Sequence, residues 1–137
     1  MRTSNIFVTV DAVVFKNTTR AREILLIKRR NEPFKDRWAL PGGFVDEGED
    51  LEAAAIRELE EETSVTITHA DQLKAFGKPG RDPRHHTVSV AFMAYVPENT
   101  VAVAADDAKE IGWFALDDLP ELAFDHAEII AFALTKA

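Results

Sequence analysis

Nine of the 24 acidic residues fall between Gly43 and Val65: Asp46, Glu47, Glu49, Asp50, Glu52, Glu58, Glu60, Glu61 and Glu62. Of the 16 bases only Arg57 stands among them, so this segment carries the whole net charge of −8 and leaves 15 acids and 15 bases elsewhere. Residues 50–63 predict a helix with Asp50 as its N-cap. At about 100° per residue, Leu51, Ala54, Ala55 and Leu59 form its apolar stripe. Glu58 and Glu62 fall on that stripe, Glu61 at its edge, and Glu49, Glu52, Arg57 and Glu60 opposite. For structure alone this is unfavourable. Glu58 and Glu62 are a like-charged i,i+4 pair, Glu60 to Glu62 crowd the negative end of the helix dipole, and turning carboxylates inward costs solvation. A divalent cation reverses the sign of each effect. Hard oxygen donors select Mg²⁺, with Mn²⁺ as a substitute. The competing reading is a solvated acidic helix end.

The elements that must position these acids follow from the rest of the pattern. Residues 5–15 and 23–28 predict strands, the second ending in the basic cluster Lys28-Arg29-Arg30. Pro41-Gly42-Gly43 punctuates the stretch before the helix. A strand is expected within 65–76, carried by the alternation of Val65 and Ile67. Residues 77–86 predict a turn-rich loop, 87–96 a clear strand, 97–109 a loop or weak hairpin, 111–115 a short strand and 124–136 a C-terminal helix. Interleaved strands and helices predict an α/β (α+β) layered domain with a mixed sheet, one domain over residues 1–137.

Composition narrows the class. A chain of 137 residues with 46% hydrophobic and 29% charged residues has an ordinary globular balance. There is no cysteine, which excludes disulfides, thiolate zinc and a cysteine nucleophile. No apolar run reaches the ~20 residues of a membrane span, and the N-terminus lacks a signal-peptide layout. A cytoplasmic protein with neither membrane nor nucleic-acid partner is the expectation.

Gly43, five residues, Glu49, seven residues, and then Arg57-Glu58-Leu59-Glu60-Glu61-Glu62-Thr63-Ser64-Val65 resemble the Nudix box. The family usually has Gly where this chain has Ser64, just past the helix, a position where left-handed backbone is common. The resemblance implies an α/β/α sandwich and metal-dependent hydrolysis of a nucleoside diphosphate linked to another group. Carried over, it makes Glu58 and Glu62 the main metal ligands, Glu61 a further ligand, and the Gly42 carbonyl a fourth. Arg57 would pair with Glu49 and orient Glu58, a bidentate lock of the kind such a pair can form.

Gly77 to His86, GKPGRDPRHH, together with Trp38 to Gly43 and Ala123 to Ala127, looks like the ADP-ribose pyrophosphatase branch of that family. Arg81 and Arg84 would offer planar donor forks to phosphate or ribose oxygens; the competing reading pairs them with Asp82 and the acidic helix. Arg37 and Trp38 are further substrate-side candidates, Trp38 by stacking on a base or, equally, as core. His85, His86 and His126 read as hydrogen-bonded structural residues. Glu110, ahead of Asp106 and Asp107, is the candidate for an additional ligand or general base beyond the box. The expected reaction converts ADP-ribose to AMP and ribose 5-phosphate. The alternatives are a nucleoside triphosphate pyrophosphohydrolase and a non-catalytic ADP-ribose sensor; a homodimer is a family-level expectation.

Overall fold

The fold begins with β-branched and aromatic residues that leave a strand little choice. In the computed structural model, which describes residues 3–105 and 108–137, β1 (Ile6–Asn17) runs through the middle of a seven-stranded mixed sheet. It pairs in parallel with β6 (His86–Val96) from Ile6 opposite His86 to Lys16 opposite Val96. β5 (Asp71–Phe76) lies antiparallel outside β6.

On its other side β1 has two successive neighbours. Phe15 to Asn17 pair with β2 (Arg22–Arg29), whereas Thr9 to Asp11 pair with β4 (Gly42–Phe44). β2 veers away to pair with β3 (Trp38–Ala39) and β7 (Ala108–Ala115). The sheet therefore splits between β1 and β2. The connection Leu40-Pro41 bridges the split, and the Ala12 N–H donates to the Pro41 carbonyl at 2.8 Å.

Alternation along β1 sorts the two layers. Val10, Ala12 and Val14 pack in clusters with Ala54, Ala55 and Leu59 of α1 (Leu51–Thr63). Val13 and Phe15 face Ile129, Ile130 and Ala133 of α2 (His126–Leu134). The sheet is thus sandwiched between two helices, as the α/β expectation has it. Each buried Leu, Ile or Phe contributes roughly 1.5–3 kcal/mol. Among the described residues no helix is long and apolar enough to cross a membrane.

Two expectations need correction. The strand placed by Val65 and Ile67 forms at Asp71–Phe76 instead. Val65 and Ile67 pack as loop side chains against Leu59 and Val14, so burial rather than strand pairing accounts for their apolar character. β7 starts three residues earlier than expected, because Ala108 and Glu110 pair with Arg29 and Lys28 across a bulge.

Candidate active site

The split sheet opens into a cavity of about 750 Å³, walled by the start of β1, the end of β2, the turn into β4, the last turns of α1, the 81–87 loop and the start of α2. Three carboxylates of α1 line it: Glu58, Glu61 and Glu62. Asp50 caps the helix by accepting from the Glu52 N–H, and Ser64 closes it in left-handed conformation, φ 63°, its N–H donating to the Glu60 carbonyl.

Each acid is held differently. Glu62 is 8% exposed and accepts from the Gly42 N–H at 2.7 Å. Glu58, with 15% of its side chain exposed, accepts from Arg57 Nη1 at 2.8 Å. Glu61 is more open and accepts from the same nitrogen at 3.1 Å. Arg57 also grips Glu49 through Nε at 2.7 Å and Nη2 at 2.9 Å, and approaches Asp46 at 3.6 Å. Four carboxylates thus converge on one guanidinium. Hydrogen bonds from Arg57 and from the Asp46 backbone hold Glu49 down at about 2. The Arg57 guanidinium is raised, chiefly by Glu49. Burial pushes the Glu58 carboxyl up, and the Arg57 bond only partly opposes it.

The acids suit a hard divalent cation by donor chemistry and by shape. A Cβ on Gly43 would lie 2.6 Å from the Glu58 carboxyl, so only glycine leaves that carboxylate its place. Gly42 is confined from the other side, where a Cβ would meet the Val10 carbonyl at 2.1 Å. Among the described residues, no three acidic or imidazole side chains enclose an ion by themselves.

The arginine loop is organised otherwise. Arg81, its side chain 5% exposed, is bidentate to Asp125 at 2.9 and 2.7 Å. Burial works against its charge, and Asp125 more than offsets this, so its pKa is raised. Arg84 forks onto buried Asp82 at 3.1 and 2.8 Å. Burial would raise the Asp82 carboxyl, but the Arg84 hydrogen bonds outweigh it and the net shift is downward. Both arginines line the cavity, yet the Arg81 fork is already committed within the protein. A phosphate or ribose oxygen would have to compete with Asp125 for that fork.

Other candidates are not brought together. Arg37 lies at the surface beside Glu121, and Trp38, partly buried, packs edge-on to Phe114 against the core. Neither lines the cavity. Glu110 sits in β7 paired with Lys28 at 3.3 Å, also away from it. Asp106 and Asp107 lie outside the described residues. Sequence reasoning counted neither Arg29 and Arg30 of the basic cluster, nor Asp11, nor Phe124 of the 123–127 stretch among the site residues, and all four lie in the cavity wall. The run Lys28-Arg29-Arg30 was the available signal for the first two, and the Lys28/Arg29 bulge is where β2 leaves its regular pairing with β7. Asp11, an acid amid an apolar strand, was the signal for the third.

The NUDIX domain family model matches residues 6–132. An ADP-ribose pyrophosphatase of Methanocaldococcus jannaschii is 46% identical over 123 residues, 90% of this chain and 70% of that protein. The ADPR responsive transcriptional repressor NtrR of Acinetobacter baylyi is 34% identical over 93% of this chain, which spans 53% of the repressor. Among solved structures, the NUDIX domain of Shewanella oneidensis NrtR complexed with ADP ribose superposes with a TM-score of 0.91 at 34% identity, covering 98% of this chain and 90% of that one.

Proposed function

The chain belongs to the NUDIX family, and from that premise we propose that it hydrolyses the diphosphate of ADP-ribose to AMP and ribose 5-phosphate, acting on the free nucleotide in the cytoplasm. The observation that carries this reading is the seating of Glu58, Glu61 and Glu62 along one cavity wall, with Gly43 keeping the space at Glu58 clear. The 46% identity to an ADP-ribose pyrophosphatase supports the choice of substrate.

Glu58, Glu62 and Glu61 would hold Mg²⁺, with the Gly42 carbonyl as a further donor and Mn²⁺ as a substitute. Bound there, the metal would supply charge neutralisation for the diphosphate and a lowered pKa for water. The protein's own residues do the rest. Arg57 is a positioning residue: anchored on Glu49 by two bonds, it holds one oxygen of Glu58 and leaves the other oriented for work. Burial raises the Glu58 carboxyl, and a carboxylate on this wall is the group able to take a proton from the attacking water. Glu110, away from the cavity, has no part in this scheme. Arg84 borders the cavity and is more exposed than Arg81, so it is the arginine better able to meet a phosphate or ribose oxygen.

The resemblance to an ADPR responsive transcriptional repressor favours one second reading: ADP-ribose binding without turnover. Product analysis separates the two. AMP and ribose 5-phosphate should accumulate from ADP-ribose with Mg²⁺ and not in EDTA. Tight ADP-ribose binding with no product in either condition would leave the sensor reading standing. Turnover confined to nucleoside triphosphates would place the chain among triphosphate pyrophosphohydrolases.

A further inference from the structure

Behind the turn that receives Glu62 lies a polar chain buried between the sheet and α2. His126 is 4% exposed. Its Nδ1 accepts from the Leu40 N–H at 3.0 Å, and its Nε2 faces Asp11 Oδ1 at 3.5 Å. The other Asp11 oxygen accepts from the Ser89 hydroxyl. An Nδ1 that accepts a backbone N–H carries no proton, so the neutral ring holds its hydrogen on Nε2, toward the Asp11 carboxylate.

The next two residues extend the chain to the acids. The Pro41 carbonyl accepts from Ala12, and the Gly42 N–H donates to Glu62. Leu40 and Pro41 span the split between β1 and β2, between the Ala39 pairing of β3 with β2 and the Gly42 pairing of β4 with Asp11. Besides these flanking ladders, three bonds hold the turn, one per residue: His126 to Leu40, Ala12 to Pro41, and Glu62 to Gly42. Two are anchored in the scaffold and the third is the seat of a carboxylate. The close fit of Gly42 against Asp11, where a Cβ would lie 2.7 Å from Oδ1, leaves the turn little room to move without disturbing Glu62.

We infer that His126 is a positioning residue for the carboxylate end of the cavity: through the Leu40 N–H it fixes the Leu40-Pro41-Gly42 turn, whose Gly42 N–H orients Glu62. This rests on the metal reading of the glutamates and adds a residue of α2, remote in sequence from the acidic helix. Asn places its Oδ1 where His places Nδ1, so His126→Asn keeps the acceptor. Gln reaches the Nε2 position instead, so His126→Gln loses it.

The test is Mn²⁺ binding followed by EPR on the purified full chain, with circular dichroism and thermal melting for folding, and no substrate present. Removing such an outer support of a metal ligand weakens binding by about 10-fold or more. His126→Gln should show that loss while His126→Asn stays within about 2-fold of the parent. Folded His126→Gln binding Mn²⁺ as well as the parent overturns the inference. So does an equal loss in both variants, or unfolding of both, which would mark His126 as a core residue only. Nitrogen-15 NMR of the parent should show the Nε2–H tautomer; the Nδ1–H form overturns the inference on its own. Parent protein that binds no Mn²⁺ overturns the metal reading first and this inference with it.

Discussion

The cavity has two charged regions that handle charge in opposite ways. At the end of α1, Asp46, Glu49, Glu58 and Glu61 converge on Arg57. In the 81–87 loop each arginine has an aspartate of its own: Arg81 with Asp125, Arg84 with Asp82. Like charges about 4 Å apart near a protein surface repel by roughly 4 kcal/mol. An excess of carboxylates around one guanidinium therefore stores repulsion that a bound cation would relieve. A loop neutralised pair by pair stores none. Local charge balance thus separates the wall proposed to receive a cation from a wall held in shape by its own pairs.

The largest expected effect breaks the acidic region. Glu58→Gln and Glu62→Gln should each lower the rate of ADP-ribose hydrolysis by about 100-fold or more, the scale of lost proton transfer and metal-borne charge stabilisation. Both should fold, and their melting temperatures should hold or rise, because each removes a charge from a repulsive cluster. Near-parental rates in folded variants would remove the acids from the chemistry.

The arginine loop should respond in reverse, in stability first. Arg81→Ala leaves the Asp125 carboxylate, 15% exposed, without its partner. Stranding a buried charge costs about 3 kcal/mol, or roughly 10 °C in Tm for a domain of this size. Arg84, with 41% of its side chain exposed, should cost about 1 kcal/mol on truncation, since solvent screens much of its pairing. Thermal melting of the two variants ranks them. If Arg81→Ala keeps its Tm and loses only affinity for ADP-ribose, Arg81 belongs to substrate recognition after all.

What was legible in the residues follows the same divide. Helical periodicity exposed the inward glutamates because a 13-residue helix projects its side chains by rotation alone. Asp50 as N-cap and the Arg57–Glu49 lock were readable for the same local reason. The pairing of Arg81 was not legible because its partner, Asp125, lies 44 residues away; no periodicity reports a pairing made by the fold. Trp38 was divided between stacking and core, and only the third dimension placed it against Phe114. His126 stands 86 residues from Leu40, whose N–H it accepts, so its link to the acidic turn had no local signature.

His126 also gives the comparison a pH signature. Burial, opposed by Asp11 and Asp125 and reinforced by Arg81 and Arg29, depresses its pKa. Above about pH 6.5 the ring is neutral in folded and unfolded chains alike, and its full contribution to stability is present. Below that, the unfolded chain binds a proton that the folded chain refuses, so stability falls as pH falls, by up to about 1.4 kcal/mol per unit, until the folded value is reached. His69, raised by Asp71 and Glu52 at the surface, works in the opposite direction. Glu49, held at about 2, adds an acid loss that begins as pH falls through the ordinary carboxylate value of 4.5 and is complete only near 2. Denaturant titrations at pH 7 and 5 should therefore show the stability advantage of the parent over His126→Asn shrinking with acid. A constant difference would mean that the ring is not kept neutral.

The smallest effect lies where the acidic helix stops being chemistry and becomes scaffold. Ser64 adopts φ 63°, exposed to solvent, with its N–H capping the Glu60 carbonyl. An L-residue there carries a backbone penalty that glycine escapes, while glycine gives back part of the gain through its looser unfolded chain. The cap hydrogen bond is a backbone bond and survives the change. Ser64→Gly should therefore stabilise the protein by about 0.5–1 kcal/mol, a few degrees in Tm, and leave ADP-ribose hydrolysis as it was. A drop in rate with higher Tm would mean that the helix end must stay slightly strained to aim Glu61 and Glu62, and the division between a chemical and a structural part of α1 would have to move one turn further along the chain.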